Sequence, residues 1–185
     1  MEIQNKIRDV NITWNRLKQI WKQNKNDRDK RWKILVFDAV VKSKLIYGLE
    51  TVHLTESLNK HIDSFYIRSL RNILGWKSTF VDRTKTNRDV INEVTRIVTT
   101  VSKHKDWTFT PVSKQLINKR IKYIGHLIRE DHLEPTRTVT FRDELLNHRI
   151  PNKKWVGRPR QNWIFMTKKL AFDKYKSNAM EVFYG

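Results

Sequence analysis

Six apolar residues near the start of the chain, Ile3, Ile7, Val10, Trp14, Leu17 and Trp21, follow one another at steps of four, three, four, three and four. That spacing sets them along one side of an α-helix, and a helix with one apolar side is stable in water only when that side is covered. The chain is therefore expected to open with an amphipathic helix folded inward on the rest of the protein. The alternative fate of the stripe is a coiled coil with another chain.

The helical period returns further along. Residues 24–30 (NKNDRDK) are polar and turn-forming, which predicts the end of the first helix. Residues 31–47 (RWKILVFDAVVKSKLIY) are apolar nearly all round, and their length predicts a buried helix rather than a strand, closed by Gly48. Residues 49–54 (LETVHL) read as a short extended link. A third helix follows, capped by Thr55 or Ser57, with Leu58, Ile62, Phe65, Ile73 and Leu74 inward and Gly75 as its stop. A fourth, over 87–101, takes Asn87 as its cap and holds Val90, Val94, Ile97 and Val101 in phase.

After a loop at 107–111, residues 113–130 form an amphipathic, basic fifth helix with Ile117, Ile121, Ile124 and Ile128 on its inner side. Beyond it the periodicity weakens. It leaves a strand at 137–141, a short helix at 142–148, a basic loop after Pro151, and a last helix at 161–175 with Trp163, Met166 and Leu170 inward. The sum is a mainly-α fold, a bundle of about five to seven helices with a basic loop containing Gly and Pro near the C-terminus. It divides into residues 1–110 and 111–185, which could pack as one unit.

Charge decides what such a bundle meets. Among 185 residues, 38 Lys and Arg stand against 19 Asp and Glu, a formal net charge of +19. A surplus of this size repels itself unless a polyanion screens it, which makes nucleic acid the leading partner. The bases are also clustered: Lys114, Lys119, Arg120, Lys122 and Arg129 occupy a stretch without an acid, as do Arg149, Lys153, Lys154, Arg158 and Arg160. A third run, 16–33, has eight bases against Asp27 and Asp29.

Several classes are excluded. The absence of Cys removes disulfides, thiolate zinc sites and cysteine nucleophiles. Five Gly and four Pro leave no room for a collagen-like repeat or a long turn-rich β architecture. No apolar run reaches the roughly 18 to 20 residues of a membrane span, and the longest, 34–46, is broken by Asp38, Lys42 and Lys44. The first residues include Glu2 and Asp9 and lack an apolar signal core, so no secretory signal is expected.

Polymerases and nucleases bring two or three carboxylates onto divalent metal, because paired cations stabilise both the attacking and the leaving oxygen. Here Asp27/Asp29, Glu130/Asp131 and Asp143/Glu144 all sit in polar surroundings and read as solvated helix-end charge. His126 with His132, and His53 with His61, lack the spacing and the Glu of a helical zinc hydrolase. No Ser or Thr lies in a Gly-flanked elbow. The residues alone thus predict a chain without catalysis, cofactor or metal. The rival is a small metal-dependent nuclease built on Glu130, Asp131 and His132, or on Asp143, Glu144 and His148.

Residues 150–163 (IPNKKWVGRPRQNW) are the most informative segment. Gly157 and Pro159 fix a bent, extended backbone from which Arg158 and Arg160 project to alternate sides, an arrangement suited to a phosphate backbone. Trp155 can stack on an unpaired base or anchor the loop on the core.

Four stretches, KILVFDAVVKSKLIYGLET, LNKHIDSFYIRSLRNILG, KRIKYIGHLIRE and KKWVGRPRQNW, resemble in this order the C-terminal part of non-LTR (LINE-type) retrotransposon reverse transcriptases. The likeness spans about residues 3–170. It implies a helical thumb and the basic segment beyond it, which hold template and primer while the palm does the chemistry. The palm aspartates lie upstream in the family and have no counterpart here, and the cysteine-rich knuckle of some members is missing. A chain complete as it stands would therefore not synthesise DNA by the family mechanism. Tyr47 and Gly48 match the family's Tyr-Gly pair, Gly125 and His126 its Gly-His pair, and Gly157, Arg158, Pro159 and Arg160 its Gly-Arg-Pro-Arg element. Val52 stands where many members place Trp.

These readings converge on a non-catalytic, thumb-like protein binding RNA or an RNA-containing duplex through Lys114, Lys119, Arg120, Lys122, Arg149, Lys153, Lys154, Trp155, Arg158 and Arg160. Tyr47, Gly48, Gly75, Gly125, Gly157 and Pro159 are the architectural positions. Two settings are open: a retroelement product in the nucleus, or a structural subunit of a ribonucleoprotein such as a mitochondrial ribosome, with ribosomal RNA and proteins as partners.

Overall fold

Helix is the rule throughout the computed structural model, which describes residues 2–22, 26–52, 54–100, 105–141 and 163–175. In order, the elements are α1 (Glu2–Arg16), α2 (Lys18–Lys22), α3 (Asp27–Val36), a π-helical stretch (Phe37–Lys42), α4 (Ser43–Ile46), α5 (Glu56–Leu74), α6 (Asn87–Thr99), α7 (Val112–Arg129), α8 (Pro135–Thr140) and α9 (Trp163–Tyr175). The fold is mainly α, and no strand occurs among the described residues. The chain forms two compact units, residues 1–47 with 54–114 and residues 48–53 with 115–185.

In the first unit the opening stripe does turn inward: Ile7 and Val10 are buried, and α1 packs on α4 and the π-helical stretch. It is not one unbroken helix, however. At Leu17 the backbone N–H is shared between the carbonyls of Thr13 and Trp14, each at 3.2 Å, and the chain turns before α2. Trp21 then lies on Trp14, with ring centroids 4.5 Å apart and planes 15° from parallel, and its indole N–H donates to the Trp14 carbonyl at 2.9 Å. That pairing holds the departure from ideal helix.

The second helical rod starts at Asp27, earlier than the apolar pattern suggested. Asn26 caps it by accepting the Asp29 N–H at 2.9 Å, so part of the polar 24–30 segment is a helix start and not only a turn. In the π-helical stretch the carboxylate of Asp38 pairs with Lys42 at 2.6 Å and accepts the hydroxyl of Tyr66 at 2.9 Å. Burial, with the Asp38 carboxylate adding to it, pushes the Tyr66 phenol well above its ordinary range. The rod ends at Gly48, whose φ of 78° is left-handed.

Helix α5 has the expected ends, with Thr55 accepting the Leu58 N–H and Gly75 at φ 75°. Thr86, not Asn87, caps α6: its hydroxyl accepts the Asp89 N–H while the Asp89 carboxylate accepts the Thr86 N–H, a reciprocal capping box. Helices α3, α5 and α6 pack together on Ile34, Phe37, Ile62, Tyr66, Leu70, Val90, Val94 and Val98. Each such side chain contributes about 1.5–3 kcal/mol on burial, enough for a chain without cysteine to need no covalent staple.

The second unit is built on the apolar side of α7. Ile121, Ile124, Leu127 and Ile128 form a core with Phe141 and with Ile164 of α9, flanked by Ile117 and by Tyr123 stacked on Trp163. Ile164 and Thr167 of α9 are buried, while Trp163, Met166 and Leu170, predicted to point inward, are half-buried. Residues 49–52, expected to be extended within the N-terminal part, form turns belonging to this unit. The predicted strand at 137–141 is mostly the short helix α8, started by Pro135 in its first turn. Its Arg137 is buried and donates to the carbonyls of Ile128 and Glu130, groups that the end of α7 leaves without helical partners. The predicted helix 142–148 lies outside the described residues.

Candidate nucleic-acid interface

Helix α7 sorts its side chains by chemistry. Its exposed residues are Lys114, Lys119, Lys122, His126 and Arg129, and every one is basic. At 100° per residue Lys119, Lys122, His126 and Arg129 fall within about a quarter of the helix circumference, opposite the isoleucine side that fills the core. These four belong to the second unit, and Lys114 to the first. No Asp or Glu occurs within α7; just past its end, Glu130 accepts from His126 at 2.9 Å and from the Thr136 hydroxyl at 2.5 Å.

The two ends of this helix are tied. In the first turn Asp63 of α5 accepts the Ser113 N–H at 3.0 Å and its hydroxyl at 2.6 Å. At the last turn stands Arg137, as described above. A row of cations on one face of a helix is a means of meeting successive phosphates, because the backbone sets their spacing before the partner arrives.

Arg120 departs from the expectation. It is 7% exposed, and its guanidinium donates to the carbonyls of Leu49, at 3.3 Å, and Val52. Burial holds its pKa below the usual arginine range, with Glu50 partly offsetting the effect. Arg120 is thus an internal brace between α7 and residues 49–52, not a phosphate contact. Among the expected architectural positions, Gly48 and Gly75 take left-handed backbone, and Gly125 is buried in α7. Tyr47 ends α4 through its backbone, but its ring is 75% exposed, with the Lys6 ammonium 5.5 Å from its centroid. Arg149, Lys153, Lys154, Trp155, Gly157, Arg158, Pro159 and Arg160 lie outside the described residues.

The nuclease candidates are scattered in their contacts: Glu130 is held by His126 and Thr136, while Asp131 accepts the Leu133 N–H at 2.9 Å. No three of His, Asp and Glu come together as a metal site among the described residues, and Asp143, Glu144 and His148 fall outside them. No helix among the described residues is long and apolar enough to cross a membrane.

Sequence reasoning found the cations of α7 but not what holds them. Nothing in the sequence marks Asp63 as the partner of Ser113, 50 residues away, and His126 matches a Gly-His pair of no assigned role; only its place in phase with Lys119 and Lys122 could have added it to the basic face. Compared with known proteins, the chain matches no family model, no curated protein and no solved structure.

Proposed function

We propose that this chain is a non-catalytic nucleic-acid-binding protein that grips the phosphate backbone of RNA or an RNA-containing duplex, and that it derives from the thumb region of a non-LTR reverse transcriptase. The observation that carries the binding is that every exposed residue of α7 is basic. The origin rests on the sequence resemblance. Phosphate contact of this kind is sequence-tolerant and strongly dependent on salt, since each neutralised phosphate releases counterions. The test is an RNA duplex titrated with the full chain and with the Lys119→Ala/Lys122→Ala variant. Weaker binding and a shallower salt dependence in the variant are expected, and equal curves would refute the assignment.

A second reading is a permanent subunit of a ribonucleoprotein. Leu133 and Val139 favour it, because they leave apolar side chains in water in the same unit as the basic face, which suits a protein neighbour beside RNA. Co-purification with ribosomal RNA would select this reading.

A further inference from the structure

The loop joining α5 to α6, residues 75–86, is pinned at several points. Arg71, 4% exposed, donates through Nη1 to the carbonyls of Lys77 at 3.3 Å and Lys85 at 2.8 Å, and through Nη2 to Asn87 Oδ1 at 3.0 Å. The Lys85 ammonium lies 4.7 Å from the centre of the Trp76 ring. The Ser78 carbonyl accepts from the N–H groups of Val81 and Asp82, both at 2.9 Å. Yet the loop carries Phe80 with 90% of its surface in water. A braced loop that presents a bare aromatic ring has a surface ready for a flat partner.

Between α5 and this loop lies a cavity of about 550 Å³, within the size range of small-ligand sites. Arg68 and Arg71 line it together with the hydroxyl residues Ser64, Ser78 and Thr79. The acid on its wall, Asp63, is engaged by Ser113. Lys60, at its edge, pairs with Glu56 at 2.7 Å. Arg71 spends its side-chain hydrogen bonds on neutral oxygens, and the Arg68 side chain forms no hydrogen bond or ion pair among the described residues. The cavity therefore contains two guanidinium groups with no carboxylate bound to either. Planar guanidinium donors and hydroxyls are the chemistry that recognises a phosphate group. Phe80 follows Thr79 directly in the chain, and an exposed phenyl ring is a stacking surface for any base.

We propose that this cavity is a second site, separate from the α7 face, which takes one unpaired phosphorylated nucleotide: the phosphate on Arg68 and Arg71, the base against Phe80. The nucleotide is either free in solution or the 5′ end of a strand, and the recognised chemistry is the same. The site does not depend on the reading of α7.

The experiment is calorimetric titration of the full chain with adenosine 5′-monophosphate and with adenosine. The monophosphate is expected to bind at least tenfold more tightly. Arg68→Ala should abolish that preference, and Phe80→Ala should weaken both ligands about fivefold or more; both side chains are exposed, so circular dichroism should show intact helices. Lys119→Ala/Lys122→Ala should leave monophosphate binding unchanged. Single-stranded RNA hexamers with a 5′-phosphate or a 5′-hydroxyl identify the source: a tenfold preference for the phosphate assigns the site to strand ends, and equal binding assigns it to free nucleotide. Equal affinity for adenosine and its monophosphate, or an unaltered preference in Arg68→Ala, would overturn the proposal. If that happened while duplex RNA still bound through α7, this site alone would be lost.

Discussion

The carboxylate of Asp63, in the middle of α5, accepts both the backbone N–H and the hydroxyl of Ser113, 50 residues later in the first turn of α7. One of the orphan donors at the start of the basic helix is thus satisfied by a distant acid, in the manner of an N-cap supplied from another element. The negative charge also sits where the helix dipole favours it. Asp63→Ala should cost about 1–2 kcal/mol of stability, in line with the loss of a cap. Asp63→Asn, which keeps an acceptor, should cost less. Urea titrations followed by circular dichroism measure both, and an alanine variant as stable as the parent would show that Ser113 needs no partner.

Arg120 and its neighbours on α7 should behave in opposite ways. Arg120→Met leaves the carbonyls of Leu49 and Val52 without their donor, at a cost of about 1–3 kcal/mol for buried acceptors. Its affinity for RNA, measured on folded protein, should be unchanged. Lys119→Ala and Lys122→Ala should leave stability within about 0.5 kcal/mol and weaken RNA binding. A variant at Arg120 that folds normally but loses RNA would reverse the assignment.

Two arginines show why net charge alone overstates the binding surface. Arg120 and Arg137 are both buried, and each donates to backbone carbonyls at a loop or helix end. In the sequence they are indistinguishable from the phosphate-facing bases, because burial of a guanidinium depends on which loop folds over it. The legible parts were those set by local rules: the inward face of α5, its Thr55 and Gly75 ends, and the isoleucine side of α7. Thr86 as the α6 cap was readable in principle, since Asp89 stands three residues later, but Asn87 competed for the same role. At 137–141, where the periodicity is weak and a strand is expected, Pro135 at the helix start and the anchoring of Arg137 accompany a short helix instead.

Acid should loosen the first unit. Hydrogen bonds from Thr86 hold the Asp89 carboxyl below the ordinary carboxylate range, those from Thr84 do so for Asp82, and Arg96 does so for Asp27. Each folded-state pKa lies below its unfolded value. The stabilisation is therefore complete above the usual carboxylate pKa of about 4 and is lost as pH falls through the lowered values. Urea midpoints should hold steady between pH 7 and pH 5 and drop below about pH 4. In Asp89→Asn the drop should be smaller, and an identical pH profile in that variant would contradict the capping box as its source.

Gly48 and Gly75 should resist replacement for a reason confined to the backbone. Both have positive φ, and a Cβ added at either position meets no atom within 4 Å. Substitution by alanine therefore costs only the left-handed strain, about 1–2 kcal/mol each. Asparagine, which tolerates that region better, should cost less at both sites. Thermal or urea denaturation distinguishes these cases, and an alanine variant at Gly75 without loss of stability would show that α5 can end without the left-handed turn.

The central claim, that the basic side of α7 holds a phosphate backbone, is tested most directly by measuring RNA-duplex affinity across a salt series. With roughly four to five phosphates neutralised, one for each exposed base of α7, raising salt from about 50 to 200 mM should weaken binding by about two to three orders of magnitude. Removing Lys119 and Lys122 together should lower the slope of log affinity against log salt by about two. A duplex that fails to bind at about 50 mM salt, or a slope that the double variant leaves unchanged, would contradict it.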